Sequence, residues 1–226
     1  MEHACHLGRN VSYYLEVISI LAIFGKSRLS LMLKGNTDTI GMQDQSVDSF
    51  GRAFDFILEQ VGQPRGTFQL KVLKRGFAPL GGGLVQVQQM FSKKVEGVSL
   101  VDEGKVKRVR GWVTSAKVSP QLTTRVVDKL REVFNDYIPD VWIHTDHYKK
   151  DQAGESAGYA VSLQAETTTG VLYTKDFCFD AAEFKMPEDL GVRCARGMLD
   201  EIFAGGVVDS TNQGLLLLLA GVSSGE

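Results

Sequence analysis

Apolar residues crowd the segment between residues 13 and 24, with Glu16 the one charge among them, and predict a helix apolar on most sides and therefore buried. A short apolar run at 29–33 predicts an interior strand. The next element is better marked. Ser46 is a suitable N-cap, Phe50, Phe54, Ile57, Leu58 and Val61 recur at helical spacing, and Gly62 ends the pattern. Residues 68–73 then alternate, with Leu70 and Val72 on one side. Beyond a glycine turn, Val85 and Val87 alternate with Gln86 and Gln88. Helix, strand, helix, strand, strand is the order of a split β-α-β unit with its helices on one face of a sheet.

A second set of elements begins near residue 109. Trp112, Thr114, Ala116 and Val118 alternate with Val113, Ser115 and Lys117, the period of a half-buried strand. Ser119 and Pro120 take the cap and first-turn positions of an amphipathic helix. Its apolar face is Val126, Val127, Leu130, Val133, Phe134, Tyr137 and Ile138, and Pro139 closes it. Strands are expected at 141–145, 159–165 and 171–173, and the polar segment 149–158 reads as an exposed, mobile loop. Pro187 opens another helix, in which Glu188 and Asp189 oppose the positive end and Leu190, Cys194, Met198 and Ile202 repeat every four residues up to Gly205. A last apolar stretch, 213–220, predicts a helix that needs a cover. The fold class is α/β (α+β).

Composition changes this picture in two places. The formal net charge of −2 offers no overall attraction for nucleic acid, yet residues 71–110 hold nine basic and three acidic side chains, and residues 176–209 hold three and eight. Such polarity gives one part of the surface a phosphate-attracting field while the total stays near neutral. Cys5, Cys178 and Cys194 are odd in number, widely spaced and without a CxxC pair, which argues for a reducing compartment. Neither 11–24 nor 215–219 reaches the roughly 20 apolar residues of a membrane helix. The first also has a weak basic start and no small-residue cleavage site, so neither a secretory signal nor a membrane partner is expected.

The stretch most suggestive of chemistry is Arg75-Gly76-Phe77-Ala78-Pro79-Leu80-Gly81-Gly82-Gly83. Three consecutive glycines permit positive φ angles and let backbone N–H groups approach a phosphate, and Arg75 offers a forked donor to the same anion. On local chemistry alone, a tight reversal of the chain is the simpler account. Lys105, Lys107, Arg108 and Arg110 form a second candidate contact, the alternative being a strand edge protected by charge. Together with Arg75, Gly81, Gly82 and Gly83, they would hold a nucleic acid by its phosphates, positioning without specifying sequence and weakening with salt. His144, Asp146 and His147 spell H-x-D-H, but a strand turns His147 away from the other two, so no metal site is expected. His3, Cys5 and His6 lie at an end expected to fray. Gly25-Lys26-Ser27 imitates the end of a phosphate-binding loop but has Ile20 where the upstream glycine belongs.

Arg75-Gly76, Pro79, Gly81-Gly82-Gly83 and Val85 fill every fixed position of RG-x-x-P-x-GGG-x-V, which resembles the signature of the RNA 3′-terminal phosphate cyclase family. Lys105-Val106-Lys107-Arg108-Val109-Arg110-Gly111, Thr145-Asp146-His147, Pro187-Glu188-Asp189-Leu190-Gly191 and Val208-Asp209-Ser210-Thr211-Asn212-Gln213 are similar to stretches of its cyclase-like branch. The resemblance covers residues 10–220. It implies a core of repeated split β-α-β units carrying a smaller inserted α/β domain. Residues 10–108 would be the second repeat, 109–180 the insert and 181–226 part of a third repeat, with the first repeat and the C-terminal strands missing. Such a piece is expected to dissolve poorly.

The resemblance also implies lost chemistry. Cyclases carry a His/Tyr-Leu-Ala-Asp-Gln element that helps hold the nucleotide. Aligned on Gln213, this chain has Asp209 at the aromatic or imidazole position and Asn212 at the acidic one. A carboxylate there would repel an ATP phosphate. The family's adenylated histidine lies beyond this element, and Glu226 ends the sequence first. The implied protein is a non-catalytic nucleolar factor of the small-subunit processome, acting in pre-18S rRNA processing and 40S ribosome biogenesis without cofactor or metal. Its implied partners are a nucleolar ribosome-assembly GTPase, pre-rRNA and processome proteins. Competing readings are an ATP-dependent RNA 3′-phosphate cyclase, a pre-rRNA endonuclease and, on topology alone, a relative of enolpyruvyl transferases.

Overall fold

A computed structural model describes residues 1–40, 44–92 and 94–223; Lys93, one of the basic residues counted above, lies outside them. Among the described residues the chain forms two mixed four-stranded sheets and five helices. The first sheet contains β1 (Glu2–Ala4), β2 (Leu29–Gly35), β3 (Phe68–Lys74) and β4 (Gly83–Gln89), in the order β1-β2-β4-β3. β4 runs antiparallel to both β2 and β3, so those two are parallel to each other. They are joined through α2 (Val47–Gln60), which makes the split β-α-β unit expected from the periodicity.

Alternation decides what this sheet buries. Leu31, Leu33, Val85 and Val87 pack against α1 (Val11–Ile23) and α2, while Gln86 and Gln88 take the opposite face. Phe50 stacks on Phe54 at 5.4 Å, and both meet Phe68 edge-on at 5.9 and 5.0 Å. Ser46 caps α2 by accepting from the Ser49 amide, and Gly62 takes the left-handed conformation just past the C-cap at Val61.

The second sheet contains β5 (Val106–Ala116), β6 (Val141–Tyr148), β7 (Gly158–Thr167) and β8 (Leu172–Cys178), in the order β6-β5-β7-β8. β5 and β6 are parallel and joined by α3 (Pro120–Asn135), while β7 and β8 return antiparallel. α3 and α4 (Pro187–Ala204) share a core with the sheet through Val113, Leu130, Phe134, Leu163, Leu190 and Met198. The expected division at residue 180 therefore separates α4 from the sheet it packs on. α5 (Gln213–Val222) goes back to the first core through Leu215, Leu216 and Leu219.

Three expectations are corrected. The N-terminal residues do not fray, because β1 pairs in parallel with β2 and Cys5 is buried beside it. A three-residue strand carries too short a pattern to be read. Helix α1 buries one side only, with Val17 and Leu21 each about 60% exposed, whereas α5 leaves Leu217 and Leu218 about 60% exposed, as a helix in need of a cover would. Segment 149–158 is not a free loop. Arg75 N donates to Gln152 O at 2.8 Å, Gly154 N to Arg75 O at 2.6 Å and Glu155 N to Gly81 O at 3.0 Å, with Ala153 buried between them.

The packing predicts a contrast readable in urea unfolding. Phe54→Ala opens a cavity among three rings and should cost about 3–5 kcal/mol. Leu218→Gln on the exposed face of α5 should stay within about 0.5 kcal/mol of the parent.

Candidate functional site

The outer face of the second sheet meets the first unit across a junction of charged and hydroxyl groups. Arg75, one residue past β3, turns into this junction and is 1% exposed. Its Nη1 donates to Asp48 Oδ2 at 2.5 Å and, more weakly, to Asp38 Oδ2 at 3.4 Å. Its Nη2 donates to the Tyr148 hydroxyl of β6 at 3.3 Å. Asp38 also accepts from Thr37 at 2.8 Å and from Thr114 of β5 at 3.3 Å. Burial raises the Asp38 pKa, and the neighbouring Arg75 charge offsets this only in part. Burial works the same way on Asp48, but there the Arg75 charge and hydrogen bond outweigh it and hold the carboxyl below its ordinary range. Burial would lower the Arg75 pKa; the two carboxylates prevail and keep it well above its usual value.

The N-terminus of α2 completes the junction. Asp176 of β8 accepts from Ser46 N at 2.8 Å, Ser46 Oγ at 3.0 Å and Ser49 Oγ at 2.6 Å, a carboxylate set against the positive end of a helix. One turn along, the Arg52 guanidinium lies 3.5 Å over the Trp112 ring of β5. Ser46 Oγ is also 3.1 Å from Ser162 Oγ of β7. Asp38, Asp48, Asp176 and Tyr148 carried no signal in the sequence, because their roles come from partners far along the chain.

The expected phosphate contacts are rearranged by this packing. Arg75 faces the interior, with its cation committed to two carboxylates. Gly81 and Gly82 do adopt positive φ, +63° and +75°. The space above them is filled by the chain itself: a Cβ on Gly82 would lie 2.9 Å from Glu155 N, and one on Gly154 would lie 2.3 Å from Gly81 O. Gly83 begins β4 and pairs with Gly35, where a Cβ would come within 2.7 Å of Gly35 O. The glycines thus let backbones touch. Lys107 and Arg108 both bond Glu166, at 2.6 and 2.5 Å, and Arg110 grips Asp140 at 2.9 and 2.8 Å. Lys105 is exposed and has no ion pair among the described residues. This run occupies the start of β5 and the glycine turn lies by its end, about 30 Å away at a strand's rise per residue. The two candidates do not form one surface.

Asp209 and Asn212 lie deep in the fold, each 1% exposed, and Gln213 is exposed. Asp209 accepts from Thr174 N at 2.8 Å, Thr174 Oγ1 at 2.7 Å, Asn212 N at 2.7 Å and Asn212 Nδ2 at 2.8 Å. Asn212 Oδ1 in turn accepts from Gln45 Nε2 at 3.1 Å. The pair ties the start of α5 to β8 and to the approach to α2. Beside it opens a polar cleft of about 690 Å³ lined by Arg9, Asp44, Asp176, Arg193 and Thr211. Arg9 donates to Asp44 at 2.8 Å and lies over Tyr13, and Lys175 pairs with Glu201 at 3.1 Å, so much of the positive charge there is neutralised. No group of three His, Cys, Asp or Glu side chains converges on a metal position among the described residues. His144 stacks on Trp112 while His147 bonds Ser115 on the other face of β6.

Residues 101–203 match the family model of the RNA 3′-terminal phosphate cyclase insert domain. Over 222 residues the chain is 43% identical to the RNA 3′-terminal phosphate cyclase-like protein of Bos taurus and 42% identical to that of Homo sapiens, covering 97% of this chain and 59% of each relative. This chain is similar to RNA 3′-terminal phosphate cyclase-like proteins along nearly its whole length. It is also 38% identical over 221 residues to the rRNA processing protein rcl1 of Schizosaccharomyces pombe, covering 95% of this chain and 60% of that protein. The chain therefore spans about three fifths of the length of these cyclase relatives. The matched insert domain takes in β5 to β8, α3 and nearly all of α4, the group that shares the second core. The cyclase signature around Arg75 forms the seam between that insert and the split β-α-β unit.

Two variants test these assignments. Arg75→Met leaves Asp38, above all, as a buried carboxylate without its cation and should cost about 3–5 kcal/mol at neutral pH. Both carboxyls would then have folded pKa values above the unfolded value of about 3.9. Folding would take up protons, so the deficit should grow as pH rises from about 4 to about 7 and shrink in acid. Urea melts across that range check it; a loss independent of pH contradicts the assignment. Asp209→Ala strands the Thr174 and Asn212 amides and should cost about 2–6 kcal/mol, at about 1–3 for each buried donor. Amide exchange should accelerate first in α5, and Asp209→Asn, which keeps an acceptor, should lose less.

Proposed function

We propose that this chain acts without catalysis in ribosome assembly, as a nucleolar factor of the small-subunit processome required for pre-18S rRNA processing and 40S biogenesis. In this reading it works by binding pre-rRNA and processome proteins and by engaging a nucleolar ribosome-assembly GTPase. The observation that carries the reading is the employment of Asp209 and Asn212. Both stand at positions where a cyclase holds its nucleotide, and both are consumed in joining β8 to α5. Four donors already converge on the Asp209 carboxylate, and a nucleotide phosphate beside it would meet like charge. Arg75 supports the same view, since its guanidinium is held inside the seam. The Schizosaccharomyces pombe relative is named for rRNA processing and matches nearly the whole chain, which favours a role on pre-rRNA over one on a small molecule. A scaffold can keep its shape while its chemistry is lost.

Two measurements test the proposal together. Tagged protein is expected to sediment with small-subunit precursors, and its depletion to leave pre-18S rRNA unprocessed. Incubation with ATP labelled on the α-phosphate should yield no covalent adenylate. A stable adenylate, or sedimentation wholly apart from pre-ribosomal particles, would sink it.

A further inference from the structure

A second, smaller concavity lies on the helix-covered face of the second sheet, outside the junction and outside the polar cleft. It encloses about 230 Å³ at the carboxyl ends of the parallel strands β5 and β6 and is lined by Ser115, Lys117, His147, Lys149 and Lys150, with Pro120 of α3 at its rim. Its charge is of one sign. No carboxylate lines it, and none of the three lysines has an ion pair among the described residues. In the larger cleft, by contrast, Arg9 and Lys175 are held by Asp44 and Glu201.

The polar groups are fixed in place. Ser115 Oγ and His147 Nδ1 are 2.6 Å apart, paired across β5 and β6 in register, which sets the imidazole plane and leaves Nε2 as the uncommitted ring nitrogen. Lys117 Nζ donates one proton to Glu155 O at 3.0 Å and keeps others to spare. Tyr148 forms part of the wall and is anchored from behind by Arg75. The backbone on both sides is strained. Lys117 and Lys150 have φ of +56° and +46°, a conformation that disfavours residues with a Cβ and that tends to occur where a site requires it. The crevice beyond the carboxyl ends of parallel strands is also where open α/β sheets bind ligands.

We propose that this pocket binds a phosphate group, with Lys117, Lys149 and Lys150 supplying charge and His147, oriented by Ser115, supplying a directed hydrogen bond. The volume of about 230 Å³ accommodates one phosphoryl group with its waters. The natural source is a phosphate of an RNA strand lying over the insert; that choice of source, though not the pocket, rests on the proposed function.

The test uses the whole chain. Inorganic phosphate, and separately a short oligoribonucleotide with and without a 3′-phosphate, are titrated while the imidazole resonances of His147 are followed by NMR. Phosphate is expected to shift His147 ahead of His144, and the oligoribonucleotide to shift the same resonances; dependence on the 3′-phosphate separates a terminal from an internal phosphate. Lys149→Glu with Lys150→Glu, both at exposed positions, should weaken binding by about tenfold or more. Lys26→Glu with Lys185→Glu makes the same change in net charge elsewhere and should weaken it far less. Equal loss in the two double variants, or no shift of His147 with either ligand, overturns the proposal. Phosphate binding here by a protein that never meets pre-ribosomes would leave the pocket standing and remove the functional reading instead.

Discussion

Arg75, placed between Asp38 and Asp48, is the interaction on which the two halves of this molecule depend. Both sheets bury their apolar faces under helices, the first under α1, α2 and α5 and the second under α3 and α4. What joins them is the outer face of the second sheet, where a small apolar cluster of Phe77 with Ala116 and Ala160 lies beside polar groups, Thr114, Tyr148, Ser162 and Asp176, on four different strands. Apolar contact alone would let such faces slide. A guanidinium that must meet two carboxylates and a hydroxyl in fixed directions admits one orientation, even where the desolvation of the charges offsets much of their attraction. The junction contributes geometry more than stability.

The local grammar of the fold was legible. Ser46 and Ser119 as caps, the alternation at Val85 and Val87, and the four-residue repeat of Leu190, Cys194 and Met198 all express constraints that act within a few residues. The family signature at Arg75 was legible as well, but its purpose was not. Glycines that permit close approach look the same in sequence whether the approaching group is a phosphate or the backbone of Glu155, and nothing near Arg75 in the chain announces Asp38, Asp48 or Tyr148. Helix burial was misjudged for a related reason. Apolar residues around all of α1 show what could be covered, while only the packing shows that Val17 and Leu21 are not.

Charge follows the same logic. The basic segment that looked like an RNA-attracting stripe is half neutralised by residues remote in sequence: Glu166 takes Lys107 and Arg108, and Asp140 takes Arg110. Exposed pairs of this kind add little stability, yet they remove free cations from the surface. A near-zero net charge therefore conceals a sorted surface in which clustered lysines without an ion pair among the described residues stand out. Lys117, Lys149 and Lys150 form such a cluster, built where a strand pair ends and the backbone is held in an unfavourable conformation.

On the proposed function, the hydrogen bonds around Asp209 and Asn212 would also oppose a nucleotide site at this place. An aromatic ring in place of Asp209 could not accept from the Thr174 amide, the Thr174 hydroxyl and the Asn212 amide together, and a neutral imidazole has one acceptor nitrogen to offer. Restoring the family residue would leave buried donors unpaired and loosen α5 from β8 at once. A carboxylate at Asn212 would then place negative charge beside Gln45 and Thr174 in a site with no cation bonded to it. On that reading each step toward a nucleotide-holding arrangement would lower stability before any nucleotide is held, because the same hydrogen bonds are the joint between α5 and β8.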